Sequence, residues 1–129
     1  MFKKVKEIRS KGGALHFRRW QILKLKNFAI YIHGIYMADE DKHMHDHPWN
    51  FMSIPFWGGF IEVTEKGERA RFLIPRYYKA GTFHKIDYVR KKGFTLVFMG
   101  KRRREWGYNV DGKFIDHITY RELKNKGKL

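Results

Sequence analysis

Apolar residues recur along this chain at every second position far more often than at helical spacing, which marks half-buried strands rather than amphipathic helices. RRWQILKL (18–25) alternates from Trp20 through Ile22, and AIYIHGIYM (29–37) supplies a second run ahead of the acidic turn ADED (38–41). WNFMSIPFW (49–57) reaches Gly58-Gly59, where the chain can reverse, and FIEVTE (60–65) returns. After the turn KGE, RARFLI (69–74) sets Ala70, Phe72 and Ile74 against Arg69, Arg71 and Leu73. FHKIDYV (83–89) and FTLVFMG (94–100) follow across RKKG. REWGYNV (104–110) and KFIDHITY (113–120) flank Asp111-Gly112, a strong short-range hairpin signal. About nine strands with tight connections, and no repeat or linker, predict one all-β domain, an antiparallel barrel or sandwich.

Composition adds exclusions. The 129 residues are 43% hydrophobic and 17% aromatic, enough to build a core. With no cysteine, disulfides, zinc–thiolate sites and thiol nucleophiles are ruled out. No apolar run approaches the roughly 18 residues of a membrane span. MFKKVKEIRSKGG lacks a signal-peptide core, so the expected location is cytoplasmic.

Charge is lopsided: 28 Lys and Arg against 13 Asp and Glu, a net +15. Such a surface attracts polyanions and makes nucleic acid one candidate partner, although no recognisable nucleic-acid module accompanies it. Much of the excess lies in the expected N-terminal (about 1–13) and C-terminal (about 121–129) extensions, where charge runs are commonly just solvated.

HMHDHPWN (43–50) holds three of the seven histidines, at alternate positions. On an extended segment, neighbours in this comb are about 6.5–7 Å apart and can lean onto one metal ion, whereas His43 and His47, about 13 Å apart, cannot. The pair is His43 with His45 or His45 with His47, and a pair alone is equally well a surface cluster. A full site needs a third ligand, for which His84, three residues after Gly81 at a strand start, is the best candidate. His33, on the strand before the comb, is a candidate acid–base group or a hydrogen-bonded core histidine. In GKRRREWGY (100–108), Arg102, Arg104 and Trp106 would share one strand face, with Arg103 and Glu105 on the other. An arginine fork suits a carboxylate or phosphate, so these arginines are either substrate anchors or part of a surface Arg–Glu ladder. Arg69 and Arg71 offer a second anchor.

Together these motifs resemble the cupin superfamily: His45-Asp46-His47, then Gly58-Gly59, then Gly81-Thr82-Phe83-His84, with Lys79 where the usual proline stands. The fuller run MHDHPWNFMS, GGFIE, FHKI and GKRRREWGY, spanning about Arg19 to Tyr120, is similar to small cupin-like proteins of bacteria and phages. It favours the His45/His47 pair. The resemblance implies a jelly-roll barrel holding a divalent metal on His45, His47 and His84. The glutamate usual in the first cupin motif is replaced by Phe51 or Met52, with Asn50 nearby and Glu62 a substitute from the next strand.

Three imidazoles resemble the iron site of thiol dioxygenases. That implies iron, with zinc, nickel or manganese as alternatives, and a dioxygenase-like oxidoreductase acting on a small anionic substrate or nucleotide. Arg104 and Glu105 take catalytic roles in this reading, with Arg102, Arg104, Arg71 and Trp106 on the substrate. Glu62, Ser53 and Asn50 are candidate partners for the ligand rings. The alternatives are a nucleotide- or nucleic-acid-binding module whose metal is structural or absent, and a metal-dependent sugar isomerase or epimerase. Pairing of edge strands into a homodimer is a further expectation.

Overall fold

The computed structural model describes residues 3–10, 12–39, 41, 43–89 and 92–129. Their elements in order are β1 (Lys3–Arg9), β2 (Leu15–Lys24), β3 (Phe28–Ile35), β4 (Phe51–Trp57), β5 (Phe60–Thr64), β6 (Gly67–Arg71), β7 (Arg76–Tyr78), β8 (His84–Val89), β9 (Gly93–Gly100), β10 (Gly107–Val110), β11 (Lys113–Asp116) and α1 (His117–Asn125). None of the helical residues forms a segment long and apolar enough to cross a membrane.

One sheet runs β1-β2-β3-β9-β4-β7, with every pairing antiparallel. The other side holds β6-β5-β8 and the β10-β11 hairpin. Residues 44–46 join these two pieces. His45 bridges His84 on one side and Tyr108 on the other. Its N–H donates to the His84 carbonyl (2.9 Å), and the His84 N–H donates back (2.8 Å). Asp46 N–H reaches the Gly107 carbonyl (3.0 Å), and Asn109 N–H reaches that of Met44 (2.9 Å). The histidine segment thus does the work of a strand without being a long one, and the two layers enclose a lumen.

Turn chemistry explains the closing hairpin. Asp111 (φ 52°) and Gly112 (φ 85°) both take the left-handed conformation, the requirement of a type I′ turn whose twist matches its strands. Gly107 has a different necessity: a Cβ there would strike the Ile115 carbonyl oxygen and approach the Asp116 Cα to 2.8 Å. Both obstacles are backbone of the paired strand. Gly107→Ala should therefore cost about 1–3 kcal/mol through overpacking, more if the hairpin separates, as read from the midpoint of urea unfolding.

Several expectations need correction. The basic N-terminal stretch includes β1, which adds to the edge of β2. The short strand β7 had no sequence signal. His117–Tyr120, expected to be strand, begins α1, because the Asp116 side chain caps it by accepting from Ile118 N–H (3.1 Å) and Thr119 N–H (2.9 Å). Tyr120 is then buried on the Tyr108 ring.

In RARFLI the strand ends at Arg71, Leu73 turns to φ 64°, and Phe72, Leu73 and Ile74 are exposed. The inward residue is Arg71, because the neighbouring strand buries Glu62 and supplies its counter-charge.

On β2 the lumen face is the polar one. Trp20 pairs in register with Ile32, and Ile32 with Leu96, on the face away from the lumen, while Arg19 and His33 point in. The compact apolar cluster of Ala29, Tyr31, Val97 and Met99, with Trp49 and Phe51 against it, packs on the lumen side. Each large member contributes about 1.5–3 kcal/mol by leaving water.

Candidate metal centre

Antiparallel pairing of His45 with His84 sets their rings side by side, and His47, two residues on, projects to the same side. Ring centroids are 5.1 Å apart for His45–His47, 4.9 Å for His45–His84 and 5.1 Å for His47–His84. One nitrogen from each ring lies within 4.8 Å of the others. His47 Nε2 and His84 Nε2 are 2.9 Å apart.

Around a metal with bonds of about 2.0–2.1 Å, ligand nitrogens sit about 2.9 Å apart at right angles and about 3.4 Å apart in a tetrahedron. The His47–His84 pair already has that spacing, and a small ring movement brings His45 into range. The donor set fits a divalent ion.

Electrostatics favour the neutral imidazoles that metal binding needs. Burial and the neighbouring His84 lower His45 to about 4. Burial, then His84 and His45, drive His47 well below its ordinary value.

Glu62 orients the third ring. A carboxylate can only accept, so the 2.8 Å contact from His84 Nδ1 to Glu62 Oε2 requires the proton on Nδ1 and turns Nε2 toward the other histidines. The carboxylate also accepts from Tyr78 (2.8 Å to Oε2, 2.9 Å to Oε1) and from Arg69 Nε (3.0 Å). Burial pushes the Glu62 carboxyl up, but His84, Tyr78 and Arg69 outweigh it and hold the group at about 2. Asp46, fully buried, faces away from the histidines. Its Oδ1 accepts from Gly107 N–H (2.7 Å) and Oδ2 lies 3.4 Å from Arg104 Nη2, fastening the histidine segment to β10.

The triad opens on a cavity of about 590 Å³ within the lumen, in the usual range for a small-molecule site. Arg102, Trp106, His33 and Ser53 are in its wall. Trp106 lies 6.4 Å from the His45 ring and stacks on His117.

Other candidates stand elsewhere. Arg104 lies over Phe114 outside the cavity wall, and Glu105 is exposed, paired with Arg102 (2.8 Å) and His117 (3.2 Å). Neither reaches the histidines, so the catalytic roles expected of them have no geometric basis. Arg71 is not a substrate anchor either: Tyr78, the Ile74 carbonyl and the Ser53 carbonyl take its N–H groups inside the protein. The Ser53 hydroxyl faces Arg71 (3.5 Å), and Asn50 accepts from Ala80 N–H (2.7 Å), so neither holds a ligand ring. His43 turns to Tyr120 on α1 (2.8 Å). Sequence reasoning missed Arg19, whose Nε is 3.0 Å from His33 Nε2, and Tyr78. For Arg19 the signal was present, in its position opposite Trp20 within an alternating strand.

No family model matches the sequence, nor does any curated protein. In fold the chain is similar to the polyketide cyclase RemF from Streptomyces resistomycificus, with a TM-score of 0.65 at 13% identity over 99% of this chain and 92% of that one. A sugar phosphate isomerase of the cupin superfamily from Silicibacter pomeroyi DSS-3 gives 0.56 at 14% over 71% and 64%. HppE in its Fe(II) form gives 0.61 at 8% over 76% and 56%. At such identities what is shared is the fold: a cupin jelly roll.

Proposed function

We propose that the chain is a metal-dependent enzyme in which His45, His47 and His84 hold one divalent ion and the adjoining cavity holds a small anionic substrate. The supporting observation is the meeting of three imidazoles, from two distant parts of the sequence, at the wall of a cavity large enough for a substrate. Iron is the first choice of metal and a dioxygenase-like oxidation the first choice of reaction. Three neutral ligands leave coordination positions and positive charge uncompensated, and bound iron would supply redox and Lewis-acid chemistry there.

The chain's own residues supply the remainder. Glu62 fixes the His84 ring through Nδ1, while Trp49 and Phe51 give the cavity an apolar wall against water. Arg102 places positive charge in that wall, although Glu105 already shares it. His33, driven well below its ordinary value by burial and then by Arg19 and Lys6, stands neutral, its Nε2 accepting from Arg19 Nε. A metal-dependent isomerase is the second reading, in which no oxidant is consumed.

Titration of chelator-stripped protein with Fe(II), Zn(II), Ni(II) and Mn(II), each by calorimetry, tests the reading. One ion per chain is expected, and failure of all four to bind with that stoichiometry would overturn it. A bound ion should also raise the melting temperature. Linkage gives about 2.7 kcal/mol when free metal is a hundredfold above its dissociation constant. Differential scanning fluorimetry should show the rise, and chelator should reverse it. Oxygen uptake in the iron form separates oxidation from isomerisation. If the chain is instead a nucleic-acid-binding module, its main affinity should fall steeply with salt and ignore the metal.

A further inference from the structure

Polar side chains form one line across the lumen face of the larger sheet. Register pairs Lys6 with Arg19, Arg19 with His33, and His33 with Thr95, from the edge strand β1 to the central strand β9. All four are in the cavity wall. Two like charges directly opposite on neighbouring strands repel; Lys6 is exposed at the cavity rim and Arg19 is half-buried. Neither cation has a carboxylate among its hydrogen-bond or ion-pair partners within the described residues. Arg19 spends Nε on His33 and lies over the Tyr31 ring, 4.8 Å from its centroid, leaving both terminal nitrogens of its fork. Burial draws Arg19 down from its ordinary value.

A second observation is independent of charge. Thr95 is 2% exposed, and its Oγ1 is buried with no hydrogen-bond partner. A buried hydroxyl left unmatched costs about 1–3 kcal/mol, so such groups are rare unless something arrives to meet them. The row and the three histidines line the same cavity.

We propose that Lys6, Arg19 and Thr95 form an oxyanion subsite that binds the phosphate group of the substrate, with His33 in the same row between Arg19 and Thr95. This rests on the enzyme reading above and narrows its substrate to a small phosphorylated molecule. Two cations and a hydroxyl donor match a phosphate dianion in charge and in acceptor number, whereas a carboxylate would leave one cation uncompensated. The arginine fork grips two oxygens, Lys6 a third from the rim, and Thr95 gains its missing partner.

Inorganic phosphate and acetate are the probes, titrated by calorimetry into the full chain in the presence of chelator, so that no metal contributes. Phosphate should bind more tightly than acetate. Arg19→Gln should weaken phosphate tenfold or more and Lys6→Gln severalfold, while Lys113→Gln, on exposed β11, should leave it unchanged. Arg19→Lys, which keeps the charge and loses the fork, should fall between wild type and Arg19→Gln, which guards against misreading a folding defect.

The proposal is overturned if wild-type protein fails to bind phosphate, if Arg19→Gln binds it as wild type does, if Lys113→Gln weakens it equally, or if acetate binds as tightly. Zn(II) titration of the same variants keeps the two readings apart. Arg19→Gln should retain one ion per chain, and loss of metal binding in wild-type protein would count against the metal centre while leaving the phosphate result intact.

Discussion

His84→Ala is expected to strip the protein of firmly held metal, from about one ion per chain to below about a tenth after dialysis, and activity should go with it. Two imidazoles from one extended segment would remain, and the only ligand from a distant part of the chain would be gone. The same change leaves the Glu62 carboxylate without one of its donors, so about 1–3 kcal/mol of stability should be lost as well. His47→Ala separates the two effects. Its ring nitrogen meets His84 and, among the described residues, no carboxylate, so metal should be lost with a smaller stability cost. His43→Ala, whose ring packs on Tyr120, should keep the ion. Elemental analysis of the dialysed variants checks all three. One ion per chain surviving in both His47→Ala and His84→Ala would sink the proposed centre.

The alternation of the three histidines made the comb legible, and the turn glycine before His84 made a third ligand plausible. What could not be read was how the comb is held. The segment carrying His45 and His47 is a bridge between β8 and β10, fastened by Asp46 to Gly107, a partner sixty-one positions away. Local pattern carries no information about such a contact.

The barrel's polarity was not legible for a related reason. Alternation says that a strand has two unlike faces, not which one looks inward. On β2 Arg19 faces the lumen beside His33, and Trp20 lies on the opposite face. Arg71 also points inward, for another reason. An arginine on a strand reads as a substrate anchor until its counter-charge, Glu62 on the adjacent strand, is known to be buried. The helix at the end was hidden because HITY has strand-like composition, and only the capping role of Asp116 decides against it.

Glu62→Gln should be the most damaging change outside the histidines themselves. The carboxylate is 1% exposed and gathers His84, Tyr78 and Arg69, with Arg71 Nε 3.7 Å away and equally buried. Glutamine keeps the shape but removes the charge and gives an amide that can present only one oxygen to these donors. Arg71 then stays buried with its counter-charge gone, the situation in which breaking a buried pair costs about 3–5 kcal/mol. Metal affinity should also fall, by about 10–100-fold, because the His84 ring loses the acceptor that fixes its tautomer and orientation. Urea unfolding gives the first quantity and calorimetric metal titration the second. Both must move for the argument to hold. A variant that lost stability but bound metal as before would make Glu62 a structural ion-pair partner with no part in shaping the site.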